Sequence, residues 1–279
     1  MITLYKIISR IPHLPCLLLL LCAACLPSCE KVIDVDLNSA DKKYVIEANI
    51  TDQAGTAQVI ITQTSNFDEP NDFPHISGAT VTISESGGAT TTFPESTTAG
   101  YYEAPAFHGT AGKTYTLTVN AGGKTFTAVS VMPTKVKLDT IYITDELLFT
   151  DTRKTVNAVF DDPAGFGNNY RFVQYVNGIR ETQVMIRNDE YSDGRKIVAK
   201  LFYFTGDEDY ENKIESGDEV KLEMQCIDKN MYKYWYSLDR SSTGGSGQAT
   251  PSNPVTNIQG GALGYFSAHT LETRTMIAP

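Results

Sequence analysis

Few residues in this chain have both the type and the spacing that chemistry requires. Beyond residue 28 the histidines are His75, His108 and His269. Each stands alone, without the His-x₃-His or Cys-His spacing of a transition-metal site. No nucleophile elbow, zincin, phosphate-loop or dinucleotide fingerprint is present. The sequence therefore assigns no catalytic, cofactor-binding or metal residue, and we read the chain as a non-enzyme. Asp207-Glu208-Asp209 beside Gly206 offers hard oxygen ligands of the kind calcium takes in sets of about six to eight. It lacks the alternating acidic spacing and distal glutamate of an EF-hand, so we read it as a solvated hairpin loop. Asp161-Asp162-Pro163, running through Gly165 and Gly167 to Asn168-Asn169, reads as a shaped turn whose Pro, Gly and Asn each set backbone angles.

One cysteine has a chemical setting. Lys6 and Arg10 precede an apolar run of 13 residues, Leu14 to Leu26, and no acidic residue occurs before Glu30. A bilayer-spanning helix needs about 20 residues. A charged start, a short apolar core and a small residue before a cut site describe a secretory signal peptide over residues 1–28. The run ends in Leu26-Pro27-Ser28-Cys29, which resembles the lipobox of bacterial lipoproteins. In that motif the cysteine thiol takes a diacylglyceryl group, the chain is cut before it, and the new amine is usually acylated. Cys22 and Cys25 fit less well, since Leu21 before Cys22 is not small and Cys22 fills the aliphatic place before Cys25. Cys29 is the expected lipidation site, and membrane lipid is the expected first partner. Two or more acyl chains anchor stably where one alone is marginal.

Cys16, Cys22 and Cys25 would leave with the signal, so Cys226 has no partner for a disulfide. It ends the alternating run Val220-Lys221-Leu222-Glu223-Met224-Gln225-Cys226, on the apolar side. A buried, inert thiol is expected there. Without Lys6 and Arg10 the chain keeps 21 basic and 33 acidic residues, a net charge of −12. That balance argues against nucleic acid as a partner, and against electrostatic binding to anionic lipid.

The elements that would position these residues are mostly strands. Residues 29–42 read as a short polar tether. Tyr44 to Ile50, Gln58 to Thr62, Thr80 to Ile83 and Tyr115 to Val119 are β-branched or alternating runs. Turn signals recur at Ser86-Gly87-Gly88, Ala99-Gly100, Ala111-Gly112 and Ala121-Gly122-Gly123. About seven strands over residues 43–133 fit an immunoglobulin-like or prealbumin-like sandwich, and spacing does not choose between them. Met132-Pro133 closes that unit, and residues 136–279 read as a second β-rich domain. Its strands are expected at 138–143, 155–160, 170–176, 197–204 and 219–227, with Asn177-Gly178 as a two-residue hairpin turn. The fold class is therefore mainly all-β with one short helix. Asp228 can cap that helix, and Met231, Trp235 and Leu238 share a face, which places Trp235 in the core. Tyr232 and Tyr236, flanking the lone tryptophan, are left as the aromatics that could meet a sugar or a partner.

Several segments together resemble a known family. They are the lipobox, Ser77-Gly78-Ala79-Thr80-Val81-Thr82-Ile83, Gly100-Tyr101-Tyr102, Phe160-Asp161-Asp162-Pro163 with Asn169-Tyr170, and Ser216-Gly217-Asp218-Glu219-Val220. The tail is the most distinctive, with Asn253-Pro254, Asn257-Ile258 and Gly260-Gly261-Ala262-Leu263-Gly264-Tyr265-Phe266. The chain resembles the Bacteroidota lipoproteins of domain-of-unknown-function family 4249, typically encoded beside TonB-dependent outer-membrane receptors. The resemblance implies outer-membrane residence and an accessory or ligand-presenting role in nutrient uptake with such a receptor as partner. It implies no catalytic residues. A surface adhesion or scaffold lipoprotein is the alternative, and a hydrolase with dispersed residues the third reading.

Overall fold

The computed structural model describes residues 41–66, 69, 72–148, 151–202, 213–242 and 252–279. In chain order the strands are β1 (Tyr44–Thr51), β2 (Gln58–Gln63), β3 (Thr80–Glu85), β4 (Thr90–Phe93), β5 (Tyr101–Glu103), β6 (Thr114–Ala121) and β7 (Lys124–Val131). Then follow β8 (Leu138–Leu148), β9 (Asp151–Asp161), β10 (Asn169–Val176), β11 (Ile179–Arg180), β12 (Met185–Asn188), β13 (Lys196–Leu201) and β14 (Glu219–Cys226). The helix α1 (Lys229–Ser242), β15 (Ile258–Gln259) and β16 (Leu263–Ile277) complete the order. Among the described residues the fold is mainly β with one short helix, as the alternating runs predict.

Alternation decides which faces are buried. Ile46, Ala48 and Ile50 of β1 and Tyr115, Leu117 and Val119 of β6 point into one apolar core. That core lies between β16-β1-β2-β5, part of a large sheet, and a five-stranded sheet ordered β15-β7-β6-β3-β4. The large sheet continues from β16 through β14 and β10 to β11, with β12 also paired to β10. There it faces a three-stranded sheet ordered β13-β9-β8 across a second core that holds Phe160, Phe172, Leu222 and Cys226. Residues 169–174 of β10 are buried throughout, because one face meets the second core while α1 covers the other. Strict alternation would fail at such a strand.

The two apolar clusters fall on either side of the expected division at residues 133–136, with one exception. Ile258, Ala262, Phe266 and Ala268, from the far end of the chain, complete the first. β16 makes this possible. Its first half runs parallel to β1, from Val45↔Leu263 to Thr51↔His269, and its second half runs antiparallel to β14. Residues 263–269 are thus half of a longer strand common to both cores. Gly264 permits the parallel contact. Its φ is +93°, and a Cβ there would lie 2.0 Å from the carbonyl oxygen of Ile46. At the division itself Lys135 reaches Asp52 at 3.0 Å and Glu272 at 3.1 Å.

Asp228 caps α1 as its position predicts. Oδ1 accepts the Met231 N–H at 2.9 Å. Oδ2 accepts the Ser130 hydroxyl at 2.7 Å and the Val131 N–H at 3.0 Å, which pins the helix start to β7. Met231, Tyr234 and Trp235 pack with Tyr265 of β16 in a third cluster.

Candidate functional site

Tyr232, Tyr236 and Arg240 recur every four residues along α1, so they form one stripe. That stripe walls a pocket of about 380 Å³ between the helix, β12 and β13. The tyrosine rings lie 6.2 Å apart and 20° from parallel. The Arg240 guanidinium sits 5.2 Å from the Tyr236 ring centre. Phe172, Met185 and Leu201 supply an apolar floor. β12 contributes residues from both of its faces, since among the described residues it pairs only with β10 and so lies at the sheet edge. One of these is Arg187, whose Nε is buried and has no hydrogen-bond partner among the described residues. Lys200 reaches the pocket from β13 with its ammonium 2.7 Å from Glu146, a contact that holds the Glu146 carboxyl below its usual range. Burial, with the neighbouring Tyr236 and Glu190, raises the Tyr232 phenol above its ordinary value, so it stays a neutral donor.

β12 leads directly from this pocket into an acidic knot. Asp162, Asp189 and Asp193 bring carboxylate oxygens within 4.8 Å of one another, a donor set suited to a hard cation. Asp189 accepts the N–H groups of Gly167 and Asn168, at 2.8 and 2.9 Å to Oδ2. Asp193 accepts that of Gly165 at 2.6 Å, and Asp162 that of Gly194 at 3.1 Å. The Tyr170 hydroxyl donates to Asp162, and burial together with that bond raises the phenol strongly. Two loops are therefore tied at points flanking Phe166 on one and Tyr191 on the other. These aromatics are 77% and 86% exposed.

On the opposite flank of β12, Arg171 of β10 is buried beneath α1. Its guanidinium lies 3.7 Å from the Trp235 ring and donates from Nη1 to Gln225 at 3.1 Å. Burial lowers its pKa to about 10. His269 of β16 is wholly buried, bonded to Ser267 at 2.9 Å, and held neutral down to about pH 3 by burial and by the Arg171 charge.

The residues singled out in the sequence have separate fates. Cys29 and Asp207-Glu208-Asp209 lie outside the described residues. Cys226 is buried in the second core with Val220, Leu222 and Met224, and burial raises its thiol. Trp235 is core, whereas Tyr232 and Tyr236 line the pocket. His75 stacks on Tyr101 at 5.3 Å, His108 sits on an exposed loop, and His269 is interior, so no histidine site forms among them. The Asp161–Asn169 segment is the shaped turn expected, with Asp162 turned inward. Sequence reading passed over Asp189, Asp193, Arg187 and Arg240. A weak signal existed for the first two, in the turn-rich acidic run Asn188-Asp189-Glu190-Tyr191-Ser192-Asp193-Gly194.

The profile of the family described as domain of unknown function DUF4249 matches residues 30–275. The chain belongs to that family. The match takes in both cores, the pocket and the acidic knot, so all of these are features of a DUF4249 chain. Among solved structures, a two-domain fibronectin type III segment of chicken tenascin aligns over 67% of this chain and 92% of that one. It is 13% identical, with a TM-score of 0.22. No curated protein matches the chain. Among the described residues no helix is long and apolar enough to cross a membrane.

Proposed function

We propose that this DUF4249 chain is a lipid-anchored binding module that holds a small ligand and presents it to a TonB-dependent outer-membrane receptor. The observation that carries the reading is the pocket between α1, β12 and β13, a concave site with aromatic walls and convergent polar groups. Binding suits it better than turnover. Asp239 is the one carboxylate among its described lining residues, whereas glycoside hydrolysis works with a pair. Anchorage through Cys29 to the outer membrane would confine the module and its receptor to one surface, where a modest interface suffices. Fatty-acid labelling should mark the wild type and fail for Cys29→Ala. Capture from gently solubilised membranes should recover a TonB-dependent receptor at near-equal yield. Recovery of the lipoprotein alone, with uptake unaffected by its deletion, sinks the proposal.

A second reading, a surface adhesion or scaffold protein, has one observation in its favour. Phe166 and Tyr191 stand exposed on loops tied together beneath them, a rigid apolar pair suited to contact. Loss of surface attachment in a Phe166→Ser/Tyr191→Ser variant, with uptake intact, would select that reading.

A further inference from the structure

The lining of the α1–β12–β13 pocket also constrains what it holds. Aromatic rings accept the apolar face of a sugar or another flat ring, and Tyr232 and Tyr236 offer two such faces on one stripe. Charge then sorts the candidates. Three cationic side chains line the pocket, Arg187, Lys200 and Arg240. Glu146 pairs with Lys200 at 2.7 Å, and Asp239 adds the one carboxylate among the described lining residues. Among the described lining residues, with Glu146 set against Lys200, the excess is a single positive charge.

Arg187 is the sharper sign. Its side chain lines the pocket, and its Nε, closed to solvent, has no acceptor among the described residues, which is costly for a guanidinium. The Arg240 head, by contrast, is held by the Tyr236 ring, which leaves its donors to meet an acceptor. The volume of about 380 Å³ is at the small end of ligand sites, which span about 300–1,000 Å³. One or two rings fit that space better than an extended polymer.

We infer that the pocket binds a sugar ring bearing one carboxylate, with the ring against Tyr232 and Tyr236 and the carboxylate on Arg187 and Arg240. This rests on the ligand-presenting reading above. No bond is made or broken. A carboxylate accepts two parallel N–H donors from a guanidinium, and the arginine fork fits that geometry where a lysine does not. A dianionic phosphate would exceed the single positive charge available.

Calorimetric titration of the full-length chain in detergent tests the inference, with glucuronate, galacturonate, glucose and glucose 6-phosphate as probes. The uronates should bind about tenfold or more tightly than glucose, with affinity falling as salt rises. Arg187→Gln and Arg240→Gln should each weaken uronate binding by about tenfold, and Arg187→Lys should only partly restore it. Lys113→Gln, in the first sandwich, should change nothing. Thermal melts report whether each variant folds, and Arg240, on the exposed end of α1, keeps the test alive if Arg187→Gln does not. Glucose binding as well as the uronates overturns the inference while leaving the pocket reading intact. Preference for glucose 6-phosphate overturns the single-carboxylate assignment. Binding of none of these rings at tens of millimolar overturns both the inference and the pocket reading.

Discussion

The two cores differ in how they treat polar groups. Around the first, the buried polar side chains of β1 and β7 are Thr51 and Ser130, and both are bonded, Thr51 to Gln53 and Ser130 to Asp228. Around the second lie Asp162, Arg171, Gln174, Glu181, Asp189 and Gln225, all buried. Every buried side-chain atom without a hydrogen-bond partner among the described residues falls between Asn157 and Thr270. Gln174, with no exposure at all, has neither its amide oxygen nor its nitrogen satisfied. Native proteins keep few such groups, and those that persist call for a reason. The contrast teaches a division of labour: the first sandwich is sealed by apolar side chains, whereas the second region carries a buried polar network, bonded at Asp162, Arg171, Asp189 and Gln225 and unsatisfied at Gln174.

The largest test of that contrast strikes the sealed side. Gly264→Ala would set a methyl group against the Ile46 carbonyl at a left-handed φ, where the parallel β1–β16 pairing closes the first core. We expect a loss of at least about 3 kcal/mol in denaturant unfolding. A change below 1 kcal/mol, on that order, would mean that the sandwich is not sealed there.

The next test uses pH. Folded His269 stays neutral down to about pH 3, while the unfolded residue titrates near its ordinary value of about 6.5. Below that value the unfolded chain binds a proton that the folded chain refuses. The contribution to stability is therefore present above about pH 6.5 and is lost as pH falls toward 3. Across that window wild type should lose up to about 1.4 kcal/mol per pH unit more than His269→Gln. Parallel pH profiles for the two would show that the residue is not buried.

Asp228→Ala sharpens the comparison where the two regions meet. It removes a helix cap and two bonds to β7, for an expected cost of about 2 kcal/mol in unfolding. Asp228→Asn should recover part of it, since the amide oxygen can still cap. A loss confined to α1, with β7 unaffected in hydrogen exchange, would mean that the helix does not tie the regions together. The smallest effect is chemical. Cys226, buried in the second core, should react with a thiol reagent only after denaturant is added. Fast labelling in native buffer would place it outside that core.

Strand positions were legible because alternation is local. Tyr115 to Val119 and Val220 to Cys226 display their buried faces in the sequence itself. So does the helix, through Asp228 and the Met231–Trp235 spacing. What stayed hidden depends on partners distant in the chain. Nothing in residues 45–51 says that 263–269 will lie beside them. β4 and β5 are too short to show a pattern. The acidic knot joins Asp162 to residues 27 and 31 positions further on, so neither segment announces it. Tyr232 and Tyr236 were readable as exposed aromatics, whereas Arg187 gained meaning only when β12 reached the sheet edge beside them.

The parallel pairing of β1 with β16 also sets an order of events as the chain folds. Contacts this far apart close late, because the loop between them must first be gathered. Until residues 263–269 arrive, β1 has β2 on one side and an open row of backbone donors and acceptors on the other. An open edge of this kind is a template for pairing with a second chain. Nascent copies crowded together would therefore be most exposed to mispairing along β1, and a chaperone that shields an extended strand would do most good there.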